Sequence, residues 1–389
     1  MEQTQSQSAN FFHRPDLALA YANEALDTSL GSSGGLFLAA PRRTGKSTFV
    51  RQDLIPALVA RQAQVIYVDL WSDKTKDPAL LLANAIRAEL RKDDGALTKF
   101  ARAAGLTKLN IGALGNGLNF DLSQIGLSAD ASLTDALSTL SQACGQLIVL
   151  VIDEAQHALT STEGMNALFG LKAARDALNL AGRGLQVIAT GSNRDKLALL
   201  VNGREQPFFG ATLIDFPKLD RDYIDWVCRK AGIGLDPLKT LEVFKETGAR
   251  PEMILPAIRQ LRLQPPAQTD SVDQALAGIV REGLTKAKEE FLHTLANLPA
   301  LQAAVLRELA GSAALAPGTE RPGVFSGAMM RKLKARIAQD SPSERGVQVD
   351  GSSVQNALDS LREKSFLWKS QRGAYWIEDD QLIAWLTRA

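Results

Sequence analysis

Apolar residues in the first half of the chain are concentrated in short runs, of which LIVLVI at 147–152 is fully apolar, and the stretches between these runs have helical spacing. A strand without polar alternation is one whose two faces are both buried. Such runs predict strands over 36–39, 64–69, 147–152, 185–189 and 212–216. The spacing between them predicts helices over 15–26, 48–62, 78–91, 132–143 and 165–180. Alternating helices and doubly buried strands indicate an α/β fold with a five-stranded parallel sheet between helices.

The second half reads differently, because the pattern after residue 216 is helical to about residue 262. A proline-containing stretch, QPPAQTD at 264–270, has the composition of a linker. Three further helices are predicted over 297–311, 325–338 and 352–364. Two short strands over 366–379 follow, turning at Gln371-Arg372-Gly373. Three helices and a hairpin, in this order, predict a winged helix.

Helix-end signals support these assignments. Asn297 and Pro299 stand in the cap and first-turn positions of one helix, and Gly311 is predicted to close it. Ser352 and Gln355 have the spacing of a capping box. The predicted organisation is a core over 1–215, a helical lid over 216–263, a linker and connecting helix over 264–296, and a winged-helix domain over 297–389. Residues 105–131, rich in Gly, Leu, Asn and Ser, predict either a hairpin or a mobile insertion.

Composition narrows the class of protein. The 389 residues are 45% hydrophobic and 22% charged, with a net charge of +1, so no global field draws the chain to nucleic acid or membrane, although local patches are compatible with this balance. Cys144 and Cys228 lie in no ligand cluster, which favours a reducing compartment over disulfides or zinc. The apolar runs are too short to span a bilayer, and the first residues contain no apolar signal core. We predict a cytoplasmic protein without a membrane partner.

The first chemical motif is the stretch APRRTGKST, between a predicted strand and a predicted helix. Its residues are Ala40, Pro41, Arg42, Arg43, Thr44, Gly45, Lys46, Ser47 and Thr48. A phosphate-binding loop needs inward-pointing backbone N–H groups, a lysine for the β- and γ-phosphates, and a hydroxyl for Mg²⁺. Ala40 occupies the place of the usual first glycine, and its side chain matters only if that position requires a positive φ. The alternative is a chance Gly-Lys-Ser in a basic loop.

The second motif, LIVLVIDEAQ, places Asp153 and Glu154 at the carboxyl end of an apolar strand, where ligands bind in open α/β sheets. Asp153 is predicted to hold Mg²⁺, and Glu154 to orient and activate an attacking water. Taken alone, the pair could equally be a helix cap.

Two further stretches carry weaker signals. In VIATGSNRD, Asn193 or Ser192 is predicted to contact a γ-phosphate or the lytic water; the alternative is a strand-to-helix turn with Asn193 as cap. In TGARPEMI, Arg250 begins a predicted lid helix and could neutralise transition-state charge, or it could be a surface arginine. Arg204 is a second candidate for this role, supplied to a neighbouring subunit.

Together these motifs resemble the AAA+-like branch of P-loop ATPases, and within it the prokaryotic "archaeal ATPase" group related to STAND signalling ATPases. APRRTGKST, VIDEAQ and GSNRDKLALLVNGREQPFFG carry the resemblance, which covers about residues 10–262. Ala40 departs from the family at the first loop glycine, and Ala211 departs from it where an arginine is common. The resemblance implies ATP rather than GTP as the nucleotide, a helical lid and a C-terminal winged helix.

The favoured hypothesis is an ATP-hydrolysing switch or motor in which ATP and Mg²⁺ bind between core and lid, and hydrolysis moves the winged helix. Its output would act on double-stranded DNA or on a protein partner, in stress or phage response. A winged helix often places its third helix in the major groove, but here that helix carries Asp359 and Glu363 beside Arg362 and Lys364. Two alternatives stay open: a DNA-binding regulator with negligible turnover, and a protein-interaction scaffold. Self-association is compatible with all three.

Overall fold

The structure is a computed structural model that describes residues 10–27, 34–41, 43–92, 133–264, 271–314, 323–344, 346–369 and 373–387. By its internal contacts the chain divides into two compact units. One comprises Met1–Ala40 and Gly45–Phe216, and the other Pro41–Thr44 and Pro217–Ala389. Residues 105–131, predicted to form a hairpin or a mobile insertion, lie outside the described residues.

The first unit is built on a five-stranded parallel sheet with the strand order β2-β3-β4-β1-β5. Its strands are β1 (Leu36–Ala39), β2 (Gln64–Asp69), β3 (Ile148–Asp153), β4 (Leu185–Gly191) and β5 (Thr212–Asp215). The α/β class and the parallel five-stranded sheet are thus confirmed. All residues of β1, β3 and β4 are buried, as expected of strands that are covered on both faces.

Helices cover both faces of this sheet. They are α1 (Pro15–Leu26), α2 (Lys46–Phe49, the π-helical turn Val50–Leu54 and Ile55–Val59), α3 (Pro78–Leu90), α4 (Leu133–Cys144), α5 (Thr162–Leu180) and α6 (Arg194–Asn202). Alternate side chains of a strand point to opposite faces. Accordingly, Phe37 packs into the core formed with α3 to α6, whereas Leu36 and Leu38 pack into the core formed with α1 and α2.

The register of the strands brings their polar carboxyl ends together at one edge of the sheet. Leu38 pairs with Thr190, Ala39 pairs with Gly191, and Asp69 pairs with Asp153. Because all five strands run parallel, their carboxyl ends meet at the same edge of the sheet. The loop after β1, the carboxylates after β3 and the polar residues ending β4 are therefore neighbours.

The second unit is helical except for one short hairpin. Its elements are α7 (Arg221–Ala231), α8 (Pro237–Glu246), α9 (Pro251–Leu263), α10 (Val272–Ala296), α11 (Ala300–Ala313), α12 (Gly327–Asp340), α13 (Gly351–Glu363), β6 (Leu367–Lys369), β7 (Tyr375–Ile377) and α14 (Asp380–Thr387). The strands β6 and β7 pair antiparallel. Helices α11 to α13 followed by this hairpin have the element order predicted for a winged helix, around a core of their own.

Three predictions of helix ends are wrong, and one helix was not predicted. Asn297 is the C-cap of α10 and Pro299 is the N-cap of α11, so they are not the cap and first-turn residues of one helix. Gly311 lies inside α11, which continues to Ala313, because helical contacts tolerate one glycine near a helix end. The capping box of α13 is formed by Asp350 and Ser353, not by Ser352 and Gln355: the side-chain oxygen of each accepts a hydrogen bond from the backbone N–H of the other. Helix α14 was not predicted, because a single short apolar stretch carries little periodic signal.

Among the described residues, no helix is both long enough and apolar enough to cross a membrane.

Candidate functional site

The loop after β1 answers the question that Ala40 raises. Ala40 is buried, and its N–H donates to the carbonyl oxygen of Gly191 at 3.1 Å, which extends the β1–β4 pairing by one residue. The left-handed residues among those described in the loop are Arg43, with φ 65°, and Gly45, with φ 84°. Ala40 has no positive φ, so its Cβ carries no conformational penalty. Arg42 lies outside the described residues.

Lys46 begins α2 and is the centre of the site. Although it is a charged residue, it is only 5% exposed. Its ammonium group lies 2.6 Å from Asp153 Oδ1, 3.3 Å from Glu154 Oε1 and 2.8 Å from Thr190 Oγ1. A buried ammonium needs such oxygen partners on all sides. The structure therefore brings the predicted lysine and both predicted carboxylates into one site.

Asp153 ends β3 and is almost fully buried. Its Oδ1 also accepts hydrogen bonds from the Thr190 hydroxyl and from the Glu154 N–H, the latter at 3.1 Å. Burial alone opposes ionisation, but the charge of Lys46 and hydrogen bonds from Lys46, Thr190 and Ser47 outweigh it and hold the pKa of Asp153 below its ordinary value. Asp153 is thus a carboxylate at neutral pH.

Glu154 has a left-handed backbone, with φ 55°, which few residues with a β-carbon adopt. Its Oε2 accepts from the Ser192 hydroxyl at 2.6 Å, the Ser192 N–H at 3.2 Å and the Gln156 amide at 2.5 Å. Burial raises its pKa, but the charge of Lys46 and these hydrogen bonds lower it by more, so the pKa of Glu154 is below its ordinary value. The side chain is therefore ionised and held firmly.

Gln156 is only 3% exposed and packs against Gly191. A β-carbon at Gly191 would lie 2.5 Å from Gln156 Oε1 and 3.2 Å from the side chain of Leu197. Only a glycine at the end of β4 leaves space for the glutamine that holds Glu154. Glycine is therefore needed at position 191 because a side chain would not fit there, not because the backbone has a positive φ.

Tyr67 supports Asp153 from the neighbouring strand β2. Its hydroxyl donates to Asp153 Oδ2 at 3.2 Å, and the Arg51 guanidinium lies 4.7 Å from the centre of its ring. Burial, and next the charge of Asp153, raise the pKa of Tyr67, so the phenol stays protonated and remains a donor.

Two aromatic rings, tilted by 35° to each other, form a close pair next to the carboxylate turn. The rings of Trp71, which follows β2, and His157, which lies in the 3₁₀ turn Ala155–Thr160, have centroids 3.7 Å apart. The ammonium of Lys74 lies 4.1 Å from the centre of the Trp71 ring. Because the His157 N–H donates to the carbonyl oxygen of Glu154, the ring pair is joined to the carboxylate turn.

Ser47 and Asp153 are the residues that fit a magnesium ion. The hydroxyl of Ser47 is one of the groups that lower the pKa of Asp153, which puts a hydroxyl and a carboxylate oxygen side by side. Mg²⁺ takes oxygen ligands, often only one or two from protein, with water and phosphate completing its shell. Among the described residues there is no cluster of three His, Cys, Asp or Glu that would suit a metal held by protein alone.

The other predicted residues have different surroundings. Asn193 is the N-cap of α6, and its Oδ1 accepts from the Lys196 N–H at 2.8 Å. Arg204 is exposed. Arg250 precedes α9 in the second unit and forms an ion pair with Asp379. Their predicted roles toward a nucleotide stay predictions.

Three contacting residues were missed at the level of sequence: Thr190, Gln156 and Tyr67. Each carries a signal, since Thr190 and Tyr67 are polar residues in mainly apolar strands, and Gln156 follows Glu154 by two residues. The signal is weak, because a lone polar residue in a buried strand is as often satisfied by backbone as by a site.

Comparison with known proteins supports the fold on which this site is built. A protein family described as AAA domain matches residues 30–197. One similar solved structure is a Walker-type ATPase of Pyrococcus abyssi, with a TM-score of 0.54 and 16% sequence identity, covering 96% of this chain and 95% of that one. A second is the ORC2 protein of Aeropyrum pernix in ADPNP and ADP complexes, with a TM-score of 0.55 and 14% sequence identity, covering 99% of this chain and 97% of that one. No curated protein sequence matches the chain. At these identities the likeness concerns the fold, and the chain has the P-loop NTPase fold of AAA+-like proteins.

Proposed function

We propose that the chain binds ATP at the carboxyl edge of its sheet and hydrolyses it. The observation that carries the proposal is the position of Lys46, whose ammonium contacts Asp153 and Glu154 at 2.6 and 3.3 Å. One buried cation beside two ionised carboxylates, at the start of a helix that follows a glycine turn, is an arrangement suited to phosphoryl transfer.

In this proposal the loop and the carboxylates have different roles. Backbone N–H groups of residues 43–48, at the N-terminus of α2, bind the phosphates, and Lys46 turns from the carboxylates toward the β- and γ-phosphates. Glu154 accepts a proton from the attacking water, whose oxygen forms the new bond to the γ-phosphorus while the bond to the ADP oxygen breaks. Asn193 and Arg250 are proposed to sense the γ-phosphate.

Magnesium completes this proposal. Ser47 and Asp153 would hold it, Ser47 directly and Asp153 through water. When bound, it neutralises charge on the phosphate oxygens. Thr190 and Tyr67, which donate to Asp153, keep that carboxylate oriented.

The output is proposed to come from the second unit, whose helices α11 to α13 and hairpin are the predicted winged helix. Exposed Arg331, Lys332 and Lys334 on α12 would favour double-stranded DNA, whereas Asp359 and Glu363 on α13 would favour a protein partner. A role in stress or phage response rests on the sequence resemblance alone. Unpaired Cys144 and Cys228 support the predicted cytoplasmic location.

The hydrogen bonds to the Glu154 carboxylate support a second function. Three hydrogen bonds from Ser192 and Gln156, with Lys46 nearby, occupy the oxygens that a base must free. A regulator that binds ATP and DNA with negligible turnover is therefore the alternative.

The test is steady-state hydrolysis of ATP by the wild-type chain beside Lys46→Ala and Glu154→Gln, with and without double-stranded DNA. Hydrolysis lost in both variants supports the ATPase, and stimulation by DNA supports a DNA output. Binding of ATP without turnover, lost in Lys46→Ala, supports the regulator. Absence of both binding and turnover in the wild type refutes the proposal. Because Lys46→Ala removes a buried ion pair, its folding is checked by circular dichroism, and Ser47→Ala serves as a milder variant.

A further inference from the structure

The second unit contains an apolar pocket between the end of α11, the start of α12 and the strand β7. Its volume is about 450 Å³, which is within the range of pockets that bind ligands. None of the described residues that line it is charged. We call it the α12 pocket, and its lining includes Leu309, Val324, Phe325, Met329, Tyr375 and Trp376.

Two aromatic rings of the α12 pocket face solvent. Phe325 is 49% exposed and Trp376 is 39% exposed. The ring of Trp376 is supported by Trp368, whose ring lies at 19° to it with the centroids 6.2 Å apart. Exposed apolar surface around a concave site marks places where proteins interact, and tryptophan is enriched among the residues that carry binding energy there.

Three cations lie on α12 directly after the residues of the pocket wall. Arg331, Lys332 and Lys334 are exposed, and none of them forms an ion pair with another described residue. The Arg331 guanidinium turns back along the helix, because its Nη1 lies 3.7 Å from the place of a β-carbon on Gly327. Gly327 directly follows Ser326, which lines the pocket. One of the three cations is therefore at the rim of the α12 pocket.

The acidic residues of the two helices that border the pocket are already paired. Helix α11 contains one acidic residue, Glu308, which accepts from Arg336 at 3.0 Å. Helix α12 also contains one, Asp340, and it forms an ion pair with Arg307. Neither neutralises the three exposed cations. The surface beside the α12 pocket is therefore positive, and it complements an anionic partner.

The choice between DNA and protein as this partner depends on α13 and on the pocket. The Gln355 amide donates to Asp359 Oδ2 at 2.9 Å and to the Tyr375 hydroxyl at 3.2 Å, and Arg362 donates to Asp359 Oδ1 at 3.3 Å. A helix that reads base pairs needs free donors and acceptors, and these side chains are engaged within the unit. Duplex DNA also offers phosphates and base edges, which match cations but do not fill an apolar pocket. Both observations favour a protein.

We propose that the α12 pocket and the three cations beside it bind an acidic segment of a partner protein. A bulky apolar side chain of that segment enters the pocket, and its carboxylates meet Arg331 and Lys334, which are three residues apart and so share one face of the helix. The apolar anchor supplies most of the affinity, and the carboxylates set orientation and association rate. This inference rests on the proposed function in taking the second unit as its output, but binding of the segment does not require ATP.

The experiment selects binders to the full chain, without nucleotide, from a displayed library of random peptides of about twelve residues. Fluorescence anisotropy then measures the affinity of the enriched peptides. We expect these peptides to contain a large aliphatic or aromatic residue flanked by Asp or Glu. Ala313→Trp fills the pocket from a lining position that is only partly buried, and the double variant Arg331→Glu with Lys334→Glu reverses the charge at its rim. We expect each to weaken binding about tenfold.

The matched control is the double variant Lys230→Glu with Lys245→Glu. It makes the same change in net charge at two exposed lysines of α7 and α8, outside the proposed surface, so it should bind the peptides as wild type does. Circular dichroism checks the folding of each variant. Phe325→Ala, at an exposed position, removes part of the pocket wall and should also weaken binding if Ala313→Trp does not fold.

Each other result overturns the inference. If no peptide is enriched, or the enriched peptides lack acidic residues, the surface does not take such a segment. Equal weakening in the lysine control shows general charge attraction. If double-stranded DNA binds, is lost on reversal of Arg331 and Lys334, and is unaffected by Ala313→Trp, while no peptide binds, the surface is a DNA interface.

Two further results would assign the surface to this chain itself. One is enrichment of peptides only after residues 315–322 are replaced by a glycine-serine linker, and the other is a wild-type dimer that Ala313→Trp dissociates. ATP binding is measured on the same samples. Its absence would refute the proposed ATPase and leave the peptide result standing, whereas ATP binding without any peptide binding would refute this inference alone.

Discussion

Glu154 combines two features that are uncommon in one residue, a left-handed backbone and a lowered pKa. Holding a non-glycine residue at positive φ costs about 1 kcal/mol, which the contacts with Ser192 and Gln156 offset. Since the folded-state pKa values of Asp153 and Glu154 lie below their ordinary values, the ionised pair contributes stability above the ordinary pKa. That contribution is lost as the pH falls through the lowered values.

At the residue scale, Ser192→Ala tests the control of Glu154. Loss of the hydroxyl removes one of the contacts that lower the Glu154 pKa, so this pKa rises toward its ordinary value. If Glu154 is the base, the acid limb of the pH profile of kcat moves up by about one pH unit. Ser72→Ala is the control, because its exposed hydroxyl donates to the carbonyl oxygen of Asp69 rather than to Glu154. An unmoved acid limb would show that another group sets it.

At the scale of elements, the loop between β1 and α2 departs from the usual glycine pattern without a conformational penalty. Ala40 continues the strand pairing, and the left-handed turn is made by Arg43 and Gly45. Helix α2 then contains a π-helical turn, in which buried Asp53 accepts from His13 at 2.6 Å and from the Arg14 N–H at 3.0 Å. The segment before α1 is thus attached to the helix that follows the loop.

Ala40→Gly therefore restores the usual glycine of the motif, but we expect no gain in nucleotide affinity or in stability. We expect nucleotide affinity to stay within twofold of wild type and the free energy of unfolding to fall by about 0.5–1 kcal/mol, because glycine loses more entropy on folding. Gly45→Ala is the opposite case: its β-carbon meets no atom within 4 Å, but φ is 84°. It should weaken nucleotide binding through strain in the loop. Titration calorimetry and urea unfolding check both variants, and tighter binding in Ala40→Gly would contradict the expectation.

Much of the element order could be predicted from sequence because the buried strands are apolar on both faces. The five strands of the sheet and the β6–β7 pairing agree with the predicted runs to within about two residues. Prediction failed where a contact across the fold decides the outcome. The cap of α13 was assigned to Ser352, whereas Asp350 supplies it. Asp379 forms an ion pair with Arg250, which is 129 positions away (379 minus 250), and no local pattern predicts such a contact. Likewise, Lys46, Asp153 and Glu154 were predicted, but Thr190, Gln156 and Tyr67 required the sheet register.

At the scale of the whole molecule, the first unit and the C-terminal elements have separate apolar cores. The sheet carries one core on each face, and α11 to α14 with the hairpin form another. Separate cores allow separate unfolding transitions. A ligand of the first unit should then stabilise one transition selectively.

We expect ATP with Mg²⁺, at about a hundredfold excess over its dissociation constant, to stabilise the transition of the first unit by about 2.7 kcal/mol. Scanning calorimetry measures the shift, and Lys46→Ala should abolish it. Leu358→Ala, at a fully buried position of the C-terminal core, should lower the other transition by roughly 2–5 kcal/mol and leave the ATP shift intact. One transition that moves as a whole in both cases would show that the cores unfold together.

The close contact between the Trp71 and His157 rings gives the first unit an internal optical probe. Of the five tryptophans, the other four, Trp226, Trp368, Trp376 and Trp385, follow residue 216 in sequence. An imidazole in face contact quenches indole emission, and more strongly when it is protonated. His157 follows Glu154 by three residues and donates its N–H to the Glu154 carbonyl oxygen, so a movement of the carboxylate turn alters the overlap of the two rings. Emission from a chain that keeps only Trp71 would therefore follow that turn in real time, without any added dye.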